Sequence, residues 1–374
     1  MTFSINFSDK GVILFILGLL LLPGWARAEE IGKGAIPKNP GGMRLAIFPV
    51  ENLTGSPAPL KEIKQTFDDQ LRSQGVELLG EETLQKLMAK HRIRYTGGID
   101  TRVARVFKEE GKTDGILILS LEFYSEAYPP KVSLLARLVS TDDPPIILWA
   151  EGFGLAGDDS PGILGLGLIE NPYKLLDKGM GFLFDSLARF LSTKNGKTVY
   201  PVKRKFRPMV VYESPVFDPD RKYSLAVIPF FNRSGRKNAG EIMVLHFVRG
   251  MKRFENFDLI EPGVIRQAFL EYRIIMEDGV SLSQTDILFS ALNADLILSG
   301  RVFEYEDYQG TYGKPKVEFS AYLIERKSRE MVWNSHSHNT GDDGVFFFDR
   351  GRVNTASAMA SQMTQWIGKG MMGR

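Results

Sequence analysis

The sequence contains no cysteine and only four histidines among its 374 residues. Without cysteine the chain can form no disulfide bond, so its stability has to come from the burial of an apolar core. There is also no cysteine behind an export signal to carry a lipid, which argues against a lipid-anchored outer-membrane protein. The formal net charge is only +2, which argues against a general nucleic-acid-binding protein.

Long hydrophobic runs are also scarce, and the one of note lies near the N-terminus, at 11–22. Lys10 precedes it, a Pro-Gly pair follows it, and an Ala-Arg-Ala sequence ending at Ala28 offers the small residues that signal peptidase requires. A transmembrane helix needs about 20 apolar residues, so this run is short for a permanent anchor. We therefore expect residues 1–28 to be a cleaved signal peptide, with an uncleaved anchor as the alternative. The protein is then expected in the periplasm, either free or peripheral to the outer membrane.

What the sequence does contain is an internal repeat. Residues 45–55 (LAIFPVENLTG) match residues 225–235 (LAVIPFFNRSG) at five of eleven positions without a gap. Trp149 and Trp333 form a second pair, and each is followed eight residues later by Gly-Asp-Asp. The offset between the copies stays between 180 and 185 throughout. A chance match would not keep its register over this length, so the chain is a tandem duplication.

Both copies predict the same order of elements. Each begins with a buried strand (44–50 and 224–230) and continues with helices, the first of which is expected at about 59–74 in the first copy. A two-stranded hairpin (131–139 with 146–153, and 316–324 with 331–338) then precedes the last helix. The helical and strand periodicities fit amphipathic elements that cover one mixed sheet. We therefore predict an α/β fold of two tandem copies of a small mixed-sheet module, at 43–192 and 222–370.

Basic residues are concentrated between the two copies, in the segment 193–221. It carries six lysines and arginines, among them Lys203, Arg204 and Lys205, before its first acidic residue, Glu213. The simpler interpretation is a solvated linker. The alternative is contact with an anionic membrane surface or lipopolysaccharide, since each basic residue near such a surface contributes on the order of 1 kcal/mol.

Three stretches of the sequence carry a resemblance to a known family. The segment LAVIPFFNRSG, the later NADLILSG at 293–300 and the strand that ends in MVW resemble the CsgG-like and TolB amino-terminal-like envelope domains. The segment 344–350 (GVFFFDR) is similar to an apolar segment of the curli-secretion CsgG family. The resemblance covers both copies and implies a small α/β fold of the anticodon-binding type.

For function, the resemblance implies a non-catalytic periplasmic protein without a cofactor, which binds other envelope or outer-membrane proteins in secretion or surface assembly. An alternative is the soluble part of an oligomeric outer-membrane secretion ring, and therefore a homo-oligomer. The pore-forming branch of the family inserts long alternating hairpins into the membrane. The candidate insertion here, 303–319, carries Glu304, Glu306 and Asp307, which are costly on a lipid-facing surface. A pore formed by this chain alone is therefore not expected.

Two patterns suggest chemistry but do not agree between the copies. The GxGxxG pattern at 152–157 follows the fifth strand, whereas a dinucleotide site requires it between a first strand and a helix. His336 and His338 would share one face of a strand and, with Asp342, would form the core of a metal-dependent hydrolase, an enzyme alternative. The first copy keeps the aspartates and lacks the histidines, so a turn is the simpler role for Asp342 and Asp343. We assign no metal ligand and no catalytic residue.

The two remaining histidines, His91 and His246, lie on predicted helices. Neither has a nucleophile or carboxylate that is matched in the other copy, and a catalytic triad needs three roles in one geometry. We interpret them as surface or core histidines and expect no enzyme activity.

An apolar tract follows Gly-Asp-Asp in each copy, at 163–169 and 345–348. Three consecutive phenylalanines in a strand would point to both of its faces, so at least one needs cover. Burial under the last helix is one account, and a partner interface is the other. We predict the partner-contacting residues to be Phe346, Phe347, Phe348, Lys203, Arg204 and Lys205.

Overall fold

The computed structural model describes residues 42–159, 167–193, 203–276, 279–308, 313–345 and 351–373. The predicted signal peptide, most of the tract at 163–169 and Phe346–Phe348 lie outside the described residues. Among the described helices, none combines the length and the apolar character that a membrane span would require.

The first module contains six strands and four helices within the described residues. Its sheet has the order β3-β1-β4-β5-β6, with β2 also paired to β4. The contacts of β1 with β3 and β4 are parallel, whereas β4, β5 and β6 form an antiparallel meander. The elements are β1 (Arg44–Ile47), β2 (Glu51–Asn52), α1 (Leu60–Ser73), β3 (Glu77–Leu78), α2 (Glu81–Lys90), α3 (Thr101–Glu109), β4 (Gly115–Ser125), β5 (Lys131–Ser140), β6 (Ile147–Ala156) and α4 (Pro172–Thr193).

The second module repeats this order and adds one strand before it. Its sheet has the order β10-β8-β11-β12-β13-β7, with β9 also paired to β11. The elements are β7 (Val210–Glu213), β8 (Tyr223–Val227), β9 (Phe231–Asn232), α5 (Ala239–Met251), β10 (Phe257–Leu259), α6 (Pro262–Glu271), α7 (Leu282–Leu292), β11 (Leu296–Glu306), β12 (Lys316–Glu325), β13 (Met331–Thr340) and α8 (Ala356–Met371). The predicted fold class, two tandem mixed-sheet α/β modules, is confirmed.

The motifs shared by the two copies form turns. Asn52 and Asn232 each accept the backbone N–H two residues ahead, at 3.0 Å, and close the turn after the first strand. Asp159 and Asp343 each accept the N–H three residues behind, at 2.8 and 2.9 Å, and close the Gly-Asp-Asp turn. The predicted strand over 44–50 ends earlier, at Ile47, because the proline that follows has no N–H to donate to a ladder.

Both modules carry the same bulge in their long central strand. Phe123 and Glu304 each follow a shift in register, so that one extra residue, Glu122 or Phe303, is inserted into the strand. A bulge re-aims the side chains beyond it. This shared irregularity decides which residues of β4 and β11 face the sites described below.

The sheets of the two modules differ in how much of their surface is covered. Helices α5 and α8 pack on their own sheet and also contact β6 of the first module, and Leu53, Leu135 and Ile147 join the core of the second module. All ten residues of β5 are therefore buried, whereas every second residue of β12 is partly exposed or exposed. One sheet face of the second module thus stays accessible. We call the part of it that carries Glu304, Glu318, His336 and His338 the open face.

Candidate functional site

A buried ion pair joins the two modules. Arg137 on β5 donates to Glu261 with Nε and Nη2, at 3.2 and 3.1 Å, and the two residues are 3% and 0% exposed. Glu261 is also the N-cap of α6 and accepts the backbone N–H groups of Ile99 and Gly263, both at 3.4 Å. Its carboxylate therefore connects a strand and a loop of the first module to a helix start in the second.

A cleft of about 320 Å³ lies beside this pair, between the modules. Glu51 and Tyr95 line it from the first module, and Glu241, Arg266 and Phe269 line it from the second. Burial raises the pKa of Glu51, which accepts a hydrogen bond from a neighbouring serine. The guanidinium of Arg266 lies 4.3 Å from the centroid of the Tyr95 ring. A largely apolar cleft with a few polar groups is typical of small-molecule sites.

A buried polar network crosses the same interface. His246 on α5 lies 3.2 Å from Glu122 through Nε2 and 3.1 Å from the Ser361 hydroxyl through Nδ1, and Tyr305 donates to Glu122. Burial raises the pKa of Glu122, but His246 and the hydrogen bonds to the carboxylate outweigh it, so the pKa lies below its ordinary value. Serine, histidine and carboxylate are therefore in the order of a hydrolytic triad.

The surroundings of this network favour a structural role. His246 and Glu122 are both fully buried, so a substrate has no approach to the imidazole. The hydroxyl of Ser361 accepts a hydrogen bond from Arg249 at 2.6 Å and lies in the middle of α8 rather than at a sharp turn. The network ties β4 of one module to α5 and α8 of the other. The sequence offered no signal for Glu122, because Phe303 occupies its position in the second copy.

A second acidic group, Asp307, is held at the start of α8. It accepts the backbone N–H of Ala356 at 2.8 Å, and burial raises its pKa to about 7. Lys131 lies nearby, with its ammonium donating to the Tyr308 carbonyl at 2.9 Å, and burial lowers its pKa to about 8. Both groups therefore change charge near neutral pH.

Asp307 predicts a pH dependence of stability. Its folded pKa of about 7 lies above the ordinary 3.8, so between these values the folded state holds a proton that the unfolded state has lost. This contribution to stability therefore falls as pH rises from about 4 to 7. We expect Asp307→Asn to remove that slope, by up to about 1.4 kcal/mol per pH unit, in urea denaturation at several pH values. The exposed neighbour Glu306, changed to Gln, serves as the control, and equal slopes for wild type and Asp307→Asn would contradict the assignment.

The structure places the three predicted basic contact residues against the second module. The Lys205 ammonium donates to the carbonyls of Asp343 and Gly351, both at 2.6 Å, and so holds the Gly-Asp-Asp turn. Lys203 and Arg204 are exposed beside it. The contact of these residues with a membrane or partner stays a prediction, and Phe346, Phe347 and Phe348 lie outside the described residues.

The segment interpreted as a linker carries an unexpected feature, the edge strand β7. It pairs antiparallel with β13, and no described strand pairs with its other side. The four residues Val210–Glu213 are all exposed, and the surrounding apolar side chains are unusually accessible. The exposed fractions are 62% for Met209, 59% for Val210, 44% for Val211, 52% for Tyr212 and 51% for Val216. The run of two valines and a tyrosine was the available sequence signal for a strand.

Backbone hydrogen bonds along β7 alternate between the side toward β13 and the opposite side, and this alternation identifies the groups that face away from the sheet. Ser214 donates its N–H to Val332 at 2.9 Å, and inward-bonded residues alternate along an antiparallel strand. Tyr212 and Val210 therefore bond toward β13, whereas Val211 and Glu213 direct their N–H and C=O groups away from the sheet.

The open face brings the two predicted histidines together, but around a different carboxylate. His336 Nε2 and His338 Nδ1 lie 3.1 and 3.2 Å from the two oxygens of Glu318. Asp342 instead pairs with Lys314 and closes its turn. The ligand set of the hydrolase alternative, two histidines with Asp342, is therefore not assembled. The GxGxxG glycines lie within or just after β6, outside a strand-to-helix turn.

No family model matches the chain, and no curated protein matches it. Solved structures with some likeness include a PelC dodecamer from Paraburkholderia phytofirmans (16% identity, TM-score 0.28, 42% of this chain and 96% of that chain). Lipoprotein GNA1162 from Neisseria meningitidis is 15% identical, with a TM-score of 0.29 over 39% of this chain and 99% of that chain. The LpoB C-terminal domain from Salmonella enterica is 14% identical, with a TM-score of 0.27 over 31% of this chain and 83% of that chain. These values are too low to assign a family or a function, and the CsgG-like and TolB-like resemblance stays a prediction.

Proposed function

We propose that this chain is a non-catalytic periplasmic protein that binds an extended segment of another envelope protein along the outer side of β7. The observation that carries the proposal is the apolar edge strand, whose side chains and outward backbone groups are both accessible. An extended segment that adds a strand to such an edge gains main-chain hydrogen bonds, and side-chain contacts provide selectivity.

The composition of β7 supports this role. Natural edge strands are usually protected by lysine, proline, a bulge or a covering helix, because an unprotected edge pairs with other chains. The strand is short and is flanked by Pro208 and Pro215, but Val210–Glu213 itself contains neither lysine nor proline, and its one charge is at its C-terminal end. An added strand would cover the accessible apolar side chains of this short edge. Lys203 and Arg204 lie a few residues upstream and favour a partner with acidic residues near the added strand.

The environment of the buried ionisable groups at the module interface supports the non-catalytic part of the proposal. The triad-like network at His246 is buried inside the module interface, and Arg137 and Glu261 are paired with each other. These groups stabilise the contact between modules rather than facing solvent.

The test is a pair of substitutions at one position. Val211→Pro removes an outward N–H without touching the ladder to β13, and proline is tolerated on the free side of an edge strand. Val211→Ala shortens the side chain and keeps the N–H. A photo-crosslinking residue at Tyr212 in living cells should capture an envelope protein in both the wild type and Val211→Ala, and at least tenfold less in Val211→Pro. The same crosslinker at Ile275, which is 73% exposed on the second module, is the positional control.

Three outcomes would decide against the proposal. Equal capture by Val211→Pro and Val211→Ala would exclude strand addition. Capture at Ile275 as strong as at Tyr212 would mean non-specific contact. A crosslinked species made only of this chain, with a multimeric mass by light scattering, would replace the partner by a second copy and favour the ring-subunit alternative.

A further inference from the structure

We propose that the open face of the second module binds one divalent transition-metal ion through Glu304, Glu318 and His338. Their ligating atoms all lie within 4.8 Å of one another. Among the described residues, no other group of three such side chains converges in this way. The proposal is independent of partner binding at β7.

The three residues form a single row across three strands. Glu304 on β11 is directly opposite Glu318 on β12, and Glu318 is directly opposite His338 on β13. Side chains in register on adjacent strands stand about 4.5–5.5 Å apart at Cβ, so a row of this kind converges on one point above the sheet. The bulge in β11 is required, because without it Phe303 rather than Glu304 would oppose Glu318.

The row places two carboxylates against each other. Like charges directly opposite on neighbouring strands destabilise a sheet, and Glu304 and Glu318 are such a pair. The imidazole of His338 adjoins Glu318 at 3.2 Å, and that of His336 approaches its other oxygen. A cation between the three ligands would remove the repulsion between Glu304 and Glu318.

The first module shows why the site can exist only in the second. The corresponding row there is Phe123, Ser133 and Gly154, by the same register. A Cβ atom at Gly154 would lie 2.7–2.9 Å from the start of α8, so no ligand side chain fits under the neighbouring module. In the second module that cover is missing: the His338, Glu318 and His336 side chains are 38%, 28% and 31% exposed.

The donor set decides the class of ion. One imidazole nitrogen with two carboxylate oxygens suits Zn²⁺ and related first-row ions, whereas Mg²⁺ and Ca²⁺ prefer oxygen ligands alone. Zn–N and Zn–O bonds of about 2.0–2.2 Å place ligand atoms closer together than 4.8 Å, so the partly exposed glutamates must change rotamer slightly on binding. Water or His336 would complete the coordination.

The experiment measures Zn²⁺ binding to the tag-free mature chain after chelator treatment, by isothermal titration calorimetry and by metal analysis after dialysis. We expect one Zn²⁺ per chain with micromolar affinity. Each of Glu304→Gln and His338→Ala should weaken binding at least tenfold, and His91→Ala, which alters an imidazole paired with Glu110 in the first module, should leave it unchanged.

A second readout separates metal binding from a purely structural effect. In metal-free protein, Glu304→Gln removes one of two opposed charges and should leave the melting temperature equal or higher. The same variant should abolish the rise in melting temperature that Zn²⁺ produces in the wild type. Less than about 0.2 Zn²⁺ per chain at about 100 µM free metal would overturn the proposal, because this concentration is roughly a hundred times the expected micromolar dissociation constant. Stoichiometric binding that survives both substitutions together would also overturn it.

Discussion

Replacing Glu261 by alanine is expected to lower the free energy of unfolding by about 3–5 kcal/mol, because the buried Arg137 then loses the carboxylate that it contacts directly. Both side chains are almost inaccessible, so water cannot substitute for the lost carboxylate. The substitution also removes the N-cap acceptor of α6. Urea denaturation monitored by circular dichroism measures the change.

Two further variants test this reasoning. Arg137→Met combined with Glu261→Met removes both charges at once, so it should cost less than the sum of the single changes, as the coupling of a buried pair requires. Asp258→Ala breaks the pair with Lys222, in which both side chains are 64% exposed, and should cost less than about 1 kcal/mol. A loss for Glu261→Ala as small as that of Asp258→Ala would show that the buried pair does not hold the modules together.

Replacing Gly154 by valine should destabilise the contact between modules by about 3 kcal/mol. A Cβ atom there would meet the Thr355 hydroxyl at 2.7 Å and the Ala358 backbone nitrogen at 2.9 Å, so β6 or α8 has to shift. Overpacking of a close interface typically costs 1–3 kcal/mol, and two added methyl groups place this change at the upper end.

The matched control lies at the equivalent position of the other copy. His338 corresponds to Gly154, and its face of the sheet is not covered by a neighbouring module. In metal-free protein, His338→Ala should therefore change the free energy of unfolding by less than about 0.5 kcal/mol, as for an ordinary surface substitution. Similar losses at the two positions would contradict the difference between the covered and the open face.

Much of the fold follows from local patterns. The helix predicted at 59–74 is observed at Leu60–Ser73, and the hairpin strands predicted at 131–139 and 146–153 are observed at Lys131–Ser140 and Ile147–Ala156. Apolar spacing and turn residues act over a few positions, so they are visible in the sequence. The shared register of the two copies also identified the Gly-Asp-Asp turn as structural.

The strand β7 was not predicted, since the basic composition of the segment around it favoured a linker. Four residues are a weak strand signal by themselves. What stabilises β7 is pairing with β13, more than a hundred residues later in the chain. The exposed binding edge that carries the proposed function is therefore a product of that distant contact.

By itself the sequence determined the duplication, the order of elements in each module and the side of each helix that faces a core, because these depend on periodicity and on turns. The tertiary structure alone decided which copy would have its sheet covered. The packing of α5 and α8 over β5 and β6 leaves no room for a side chain at Gly154 and buries Glu122 against His246. The same face of the second module was left open, and there Glu304, Glu318 and His338 meet. Two equivalent rows acquired opposite environments because the modules pack head to tail, with the sheet of the first against helices of the second. The equivalent face of the second sheet therefore has no module over it.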